Sequence, residues 1–388
     1  MIPSFTSSTR TFQGAAWEPT LTSELARLKA RHALIVSDPG VQNSGILDAV
    51  ASVASQGVAR VSTYTQVMQD PTARLMDDLG HRCVRDQVDV LIALGGGACL
   101  DGAKGAALVA RHGGTILDLV GEDKVTRAPL PIIAIPTTAG TGSEVSWHIS
   151  VNDTERQLKV TVRSPLAVAS TAILDPRMVA TVPQMVAAAA GMDALTHLLE
   201  SFVSNVGRWD VTDALALHGI SMVGRSLRPY WLDRTDAHHA LQMQIASCVG
   251  GLVLSHSRTG IVHQMARPLG ARFHVPHGLA NATLLPWCLE YTARQIPGRF
   301  AAVTRALSQE AESDNDQVAA DRLAPLVHAL NRELGVPASL KAFGVTEDAL
   351  DELAHDSLQG KPTVTNPCVV SHEALVSIYR NALLGSLK

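Results

Sequence analysis

The sequence predicts an α/β fold followed by an all-α one: a doubly wound, mainly parallel sheet in residues 1–181, then a helical domain in 182–388. Three observations lead there. Up to about residue 180, short β-rich runs alternate with helical patterns. The continuous apolar runs among them resemble parallel strands covered on both faces. Beyond Pro183 the strand signals stop and Ala- and Leu-rich segments follow. A length of 388 residues accommodates two domains of ordinary size, about 100–200 residues each.

In chain order, the expected parallel strands are HALIVSD (32–38), VARVSTYT (58–65), VDVLIALGG (88–96), LPIIAIPTT (130–138) and ASTAILDP (169–176). HISVND and QLKVTVRS read as a hairpin added to that sheet. The helical half is carried by MVAAAAGMDALTHLLESFV, DALALHGISMVGRSL and QVAADRLAPLVHALNREL, with the acidic stretch QEAESDND (309–316) as a solvated loop between helices.

Composition narrows the function classes. With 46% hydrophobic and 18% charged residues the chain is too apolar for a disordered protein. Thirty-two basic against 36 acidic side chains, with no basic run, argue against a nucleic-acid surface. Five scattered cysteines without a CxxC pair indicate neither a disulfide framework nor a thiolate zinc site and suit a reducing cytosol. The start MIPSFTSSTR lacks a signal-peptide pattern and no apolar stretch approaches the roughly 20 residues that span a bilayer. A cytoplasmic protein with small-molecule partners, no nucleic acid and no membrane is expected.

Two loops point to a dinucleotide. In LIALGGGACLDGAKGAAL, Gly95, Gly96 and Gly97 separate a strand from a helix, where bare backbone and the helix N-terminus favour a phosphate. The plain alternative is a tight turn, since the spacing is not GxGxxG. The strand LPIIAIP then opens into TTAGTGSE (137–144), rich in donors, and two such loops at neighbouring strand ends form a dinucleotide crevice. Asp38, ending the first apolar strand, can accept from both ribose hydroxyls and repel a 2′-phosphate, favouring NAD over NADP; Asp-Pro-Gly turn chemistry is its alternative.

The helical half carries the metal candidates. Asp193 and His197, four residues apart in GMDALTHLLE, project from one helix face. His263 and His277 follow in a Gly- and Pro-containing segment that can fold both imidazoles towards one point, with His274 as a competitor that spacing does not dismiss. One carboxylate and three imidazoles suit a divalent ion of the iron or zinc type.

The chain resembles the iron-containing (group III) alcohol dehydrogenase family from about Phe12 to its end, through GGGxxxDxxKG at 95–105, PTTxGTGSE at 136–144, Lys159 followed by LDP at 174–176, GMDALTH at 191–197, HxMAxxLG at 263–270, PHGxANAxLLP at 276–286 and NP at 366–367. The resemblance implies a dinucleotide-binding N-terminal domain, a metal-binding helical C-terminal domain and a catalytic cleft between them. It also implies Asp193, His197, His263 and His277 as ligands of a divalent metal, Fe(II) ahead of Zn(II). Gly96, Gly97, Ala98, Asp101, Thr137, Thr138, Thr141 and Lys159 would line NAD, with Asp38 on the adenosine ribose. The expected reaction is NAD(H)-dependent interconversion of an alcohol with an aldehyde or ketone by a homo-oligomer, a dimer. The alternative is an NAD-using lyase of the dehydroquinate synthase-like type.

Three departures qualify the resemblance. Ala98 stands where Ser is common, Asp70 where Asn precedes Pro71 and Thr72, and Arg267 where many alcohol-active members have a histidine. Arginine has no acceptor and stays protonated, so it cannot shuttle a proton; His148 is the candidate to take over part of a relay. A permanent cation at 267 instead suits an acidic substrate, such as a hydroxy acid and its oxo acid, or else a cofactor phosphate.

Overall fold

The computed structural model describes residues 4–14, 16–156, 158–308, 314–360 and 362–385. Most of the expected acidic loop, 309–313, lies outside them.

Among the described residues, the first half holds nine strands: β1 (Arg10–Gln13), β2 (His32–Val36), β3 (Arg60–Tyr64), β4 (Val90–Gly95), β5 (Gly121–Glu122), β6 (Ile132–Pro136), β7 (His148–Asp153), β8 (Leu158–Arg163) and β9 (Thr171–Leu174). Between them lie helices α1 (Trp17–Arg27), α2 (Pro39–Asn43), α3 (Ile46–Gly57), α4 (Ala73–Arg85) and α5 (Gly97–His112). The second half is helical: α6 (Gln184–Val203), α7 (Asp210–Leu232), α8 (Ala237–His256), α9 (Ile261–Phe273), α10 (His277–Thr292), α11 (Pro297–Leu307), α12 (Asp316–Glu333), α13 (Leu350–Gln359), α14 (Pro362–Thr365) and α15 (His372–Leu384).

Six strands form an all-parallel sheet in the order β1-β9-β6-β4-β2-β3. Its central strands are buried along their whole length, which is why they read as unbroken apolar runs. Alternate residues serve opposite faces: Ala33 and Ile35 pack with Leu21, Leu25 and Val50 of α1 and α3. Leu34 and Val36 pack with Leu79 and Leu100 of α4 and α5. The chain runs from β2 to β3 on one side and returns to β4 on the other, so the strand order reverses between β2 and β4. That reversal opens the crevice in which open α/β sheets bind ligands, beyond the carboxyl ends of the strands.

The hairpin departs from expectation. β7 and β8 pair antiparallel as foreseen, but with β5 they make a separate three-stranded sheet. The alternating burial of β7 shows the reason: one face, with Ile149 and Val151, packs on Met76 and Val109 of α4 and α5.

The chain divides into two compact units, Thr6–Val182 with Arg234–Ser255, and Pro183–Asp233 and His256–Lys388 with Met1–Phe5. Residues 234–255, nearly all of α8, thus belong with the sheet rather than with the helices flanking them in sequence. Within that unit, Cys248 of α8 packs with Val145, Ala172 and Leu174. Gly142, at φ +61°, lies so close to α8 that a Cβ there would come within 2.5 Å of the Gly251 nitrogen. Among the described residues, no helix is long and apolar enough to cross a membrane.

Candidate metal centre and cofactor loops

α6 is buried on nearly every side, as a helix in the middle of a bundle must be, and it packs against α7 and α10. Such a position makes an ionised side chain expensive unless it is paired. Asp193 and His197, one turn apart on α6, are 2% and 5% exposed. His263 stands in the first turn of α9 and His277 at the first position of α10. The Nε2 atoms of His197, His263 and His277 lie 4.0, 3.9 and 3.8 Å from Oδ1 of Asp193, and the four ligand atoms all fall within 4.8 Å of one another. His274, in left-handed conformation at the end of α9, is outside this group.

The residues fit a divalent cation on several counts. Burial alone would raise the Asp193 carboxyl, but His197, His277 and His263, with a hydrogen bond from Asn281, hold it below its ordinary range. Asn281 Nδ2 donates to Asp193 Oδ1 at 2.7 Å and lies 3.2 Å from Nε2 of both His263 and His277. His263 is oriented from behind: its Nδ1 donates to Glu200 Oε2 at 2.6 Å, leaving the Nε2 lone pair facing the group. Glu200 Oε1 also accepts from the Val262 amide, so the same carboxylate fixes the start of α9. One carboxylate, three imidazoles and no thiolate form a donor set suited to Fe(II) or Zn(II).

In the sheet unit, β4 and β6 are in register with Gly95 opposite Pro136, so the loops that follow them lie side by side. The Thr137 amide donates to the Gly95 carbonyl at 3.0 Å. A Cβ on Gly97 would sit 2.6 Å from Cγ2 of Thr141, and one on Gly96 would be 3.4 Å from Thr138. The N-cap of α5, Gly96, offers no side-chain oxygen to the first amides of a 16-residue helix, which leaves them for an anion beside half-buried Gly96, Gly97 and Ala98. These features fit the pyrophosphate of a dinucleotide.

Other expected cofactor residues are engaged within the protein. Asp38 Oδ1 caps α2 through the Val41 amide at 3.0 Å, and its Oδ2 accepts from the Cys99 thiol at 3.3 Å. Both Asp101 oxygens are used, by Ser143 Oγ at 2.5 Å and the Ser150 amide at 2.8 Å. Lys159 meets Asp70 at 2.6 Å. Lys104, 1% exposed, donates to Ser143, Ser146 and His148 carbonyls and so clamps α5 to the loop after β6.

A relay at His148 meets a specific obstacle. Its Nε2 accepts from Arg163 Nε at 3.2 Å, and a lone pair held by a permanent cation is poorly placed to take up a proton. Arg267 lies four residues beyond His263 on α9, solvent-accessible and, among the described residues, without a hydrogen-bond or ion-pair partner. Glu200 acts electrostatically on its guanidinium.

Sequence reasoning did not single out Glu200, Asn281 or Lys104. A signal existed for the first two: Glu200 falls seven residues after Asp193 and Asn281 four after His277, both spacings that return to the same helix face.

A two-unit chain that pairs a parallel sheet and its glycine loops with a buried carboxylate–imidazole group has the parts of a metal-assisted dehydrogenase. The iron-containing alcohol dehydrogenase family model matches residues 8–176, and the model of that family's C-terminal domain matches residues 187–383. The chain is 35% identical over 375 residues to long-chain-alcohol dehydrogenase 1 of Geobacillus thermodenitrificans, covering 95% of this chain and 93% of that protein. It is 31% identical over 364 residues to lactaldehyde reductase of Escherichia coli, covering 93% and 94%. A crystal structure of 1,3-propanediol oxidoreductase superposes with a TM-score of 0.94 at 29% identity, covering 99% of this chain and 100% of that one. The chain belongs to the iron-containing alcohol dehydrogenase family, and is an oxidoreductase of alcohols and aldehydes.

Proposed function

We propose that this oxidoreductase uses NAD(H) and a divalent cation, Fe(II) ahead of Zn(II), to interconvert an alcohol with its aldehyde or ketone, and that its preferred substrates carry an acidic group. The observation that carries the reading is the convergence of Asp193, His197, His263 and His277 on one point, with the first three buried and His277 partly exposed. When bound there, a divalent cation supplies Lewis acidity to a substrate oxygen, and NAD(H) supplies or takes the hydride. Asp193 and the three imidazoles hold the cation, Glu200 keeps His263 in its ligating tautomer, and the loops after β4 and β6 bind the pyrophosphate. Asp38 disfavours a 2′-phosphate, so NAD is preferred to NADP.

Arg267 supports the acidic substrate. A guanidinium close enough to feel Glu200, accessible and uncommitted to any protein carboxylate, is suited to a substrate oxyanion, which it would bind with two parallel hydrogen bonds. A cytoplasmic location and a homodimer accord with this reading.

The test is a turnover screen of hydroxy acids, neutral alcohols and their carbonyl partners, with NAD(H) and NADP(H), on protein loaded with Fe(II) or Zn(II). Cation-dependent, stoichiometric NADH formation supports the reading. Turnover without net NADH would instead favour a lyase that returns its hydride.

A further inference from the structure

Asp70 is a departure whose consequence lies in the fold. The register of β7 and β8 puts Asn152 opposite Lys159. The Asn152 amide donates to the Pro71 carbonyl at 3.0 Å, and Thr72 bridges to Asn152, which lays the segment before α4 beside β7. The Asp70 carboxylate thereby meets the Lys159 ammonium at 2.6 Å, with the side chains 41% and 23% exposed. Lys159 also acts electrostatically on Asp101, whose carboxylate lies 3.8 Å from Lys104. Asp70, Asp101, Lys104 and Lys159 thus form one electrostatically linked group, with Glu144 acting on it through Lys104.

Its position along the sheet follows from its ties. Asp101 is bonded to Ser143, in the loop after β6, and to Ser150 on β7, whereas Asp38 stands at the end of β2, across β4. A dinucleotide lying over the reversal of strand order places its two halves on opposite sides of it. With the adenosine ribose at Asp38, the nicotinamide would fall on the β6 side, where this group lies.

We infer that Asp70, by pairing with Lys159, sets the relative affinity of the protein for oxidised and reduced cofactor; this rests on the NAD reading above. The oxidised ring carries one positive charge more than the reduced ring. An uncompensated Lys159 repels the oxidised form selectively, and Asp70 removes that bias. Asp70 acts through the lysine and is a positioning residue.

The experiment measures Kd for NAD+ and for NADH by calorimetry in the parent, in Asp70→Asn and in Lys159→Met. Asp70→Asn is expected to raise Kd(NAD+)/Kd(NADH) by about threefold, the scale of one partly screened charge. Lys159→Met is expected to lower the ratio, because the Asp70 carboxylate is then uncompensated. A merely structural strut would weaken both affinities together, so an unchanged ratio in both variants overturns the inference. A parent that binds neither cofactor overturns the NAD reading and this inference with it.

Discussion

Nδ1 of His263 donates a 2.6 Å hydrogen bond to Glu200, a carboxylate on the same helix as Asp193 and His197. α6 therefore contributes two candidate ligands directly and orients a third on α9. Carboxylate partners of this kind raise the basicity of a ligating imidazole and fix its ring, and their loss commonly costs 10- to 100-fold in metal affinity.

Glu200→Gln is accordingly expected to weaken Fe(II) or Zn(II) binding by about 10-fold and Glu200→Ala by up to about 100-fold, measured by chelator competition. Urea midpoints recorded alongside separate this from fraying of α9, whose Val262 amide also depends on Glu200. Unchanged metal affinity in a folded Glu200→Ala protein would show that the hydrogen bond serves packing alone.

Arg267 is expected to set substrate preference. One paired guanidinium–carboxylate contact is worth about 1.5–3 kcal/mol, so Arg267→His should lower the kcat/KM ratio of hydroxy acids to matched neutral alcohols by roughly 10- to 100-fold. A parent that prefers neutral alcohols, with a ratio that the substitution leaves alone, rules out anion recognition at this residue.

The buried Glu144, 2% exposed, makes stability depend on pH. Burial pushes its carboxyl up to about 7 from an ordinary 4.5, against its own backbone amide and the Lys104 ammonium. The folded protein keeps the proton to a higher pH than the unfolded chain does. Its contribution is thus fully present below about 4.5 and is lost as pH rises through about 7. Glu144→Gln cannot ionise and is expected to lose about 1–3 kcal/mol less stability than the parent between pH 5 and 8. Urea unfolding at the two pH values checks this, and parallel pH profiles in both proteins would mean that Glu144 titrates normally.

How much of this was legible in the sequence depends on what each element buries. β2, β4 and β6 are covered on both faces and announced themselves as apolar runs. β1 is a four-residue edge strand with no fully buried position, and RTFQ carries no strand pattern. The hairpin was visible in its alternation but not its sheet, because period two reports that one face is covered and not what covers it. The allegiance of α8 to the sheet unit depends on the approach of Gly142 to Gly251, a contact 109 positions apart that no local window contains. In the metal centre, the ligand residues could be named from the resemblance. Asn281 and Glu200 needed the structure, since buried amides and carboxylates are usually partners of something and only geometry says of what.

The central claim is that Asp193, His197, His263 and His277 bind one divalent cation on which turnover depends. The most direct measurement is metal stoichiometry of anaerobically purified and reloaded protein, in the parent and in His263→Ala and Asp193→Asn, with NADH affinity and alcohol turnover determined on the same samples. One equivalent in the parent is expected, with a large loss of bound metal and turnover in both variants and NADH affinity within about twofold of the parent's, because the cofactor loops lie in the other unit. Full turnover by metal-free parent, or by variants that no longer bind metal, would contradict the account.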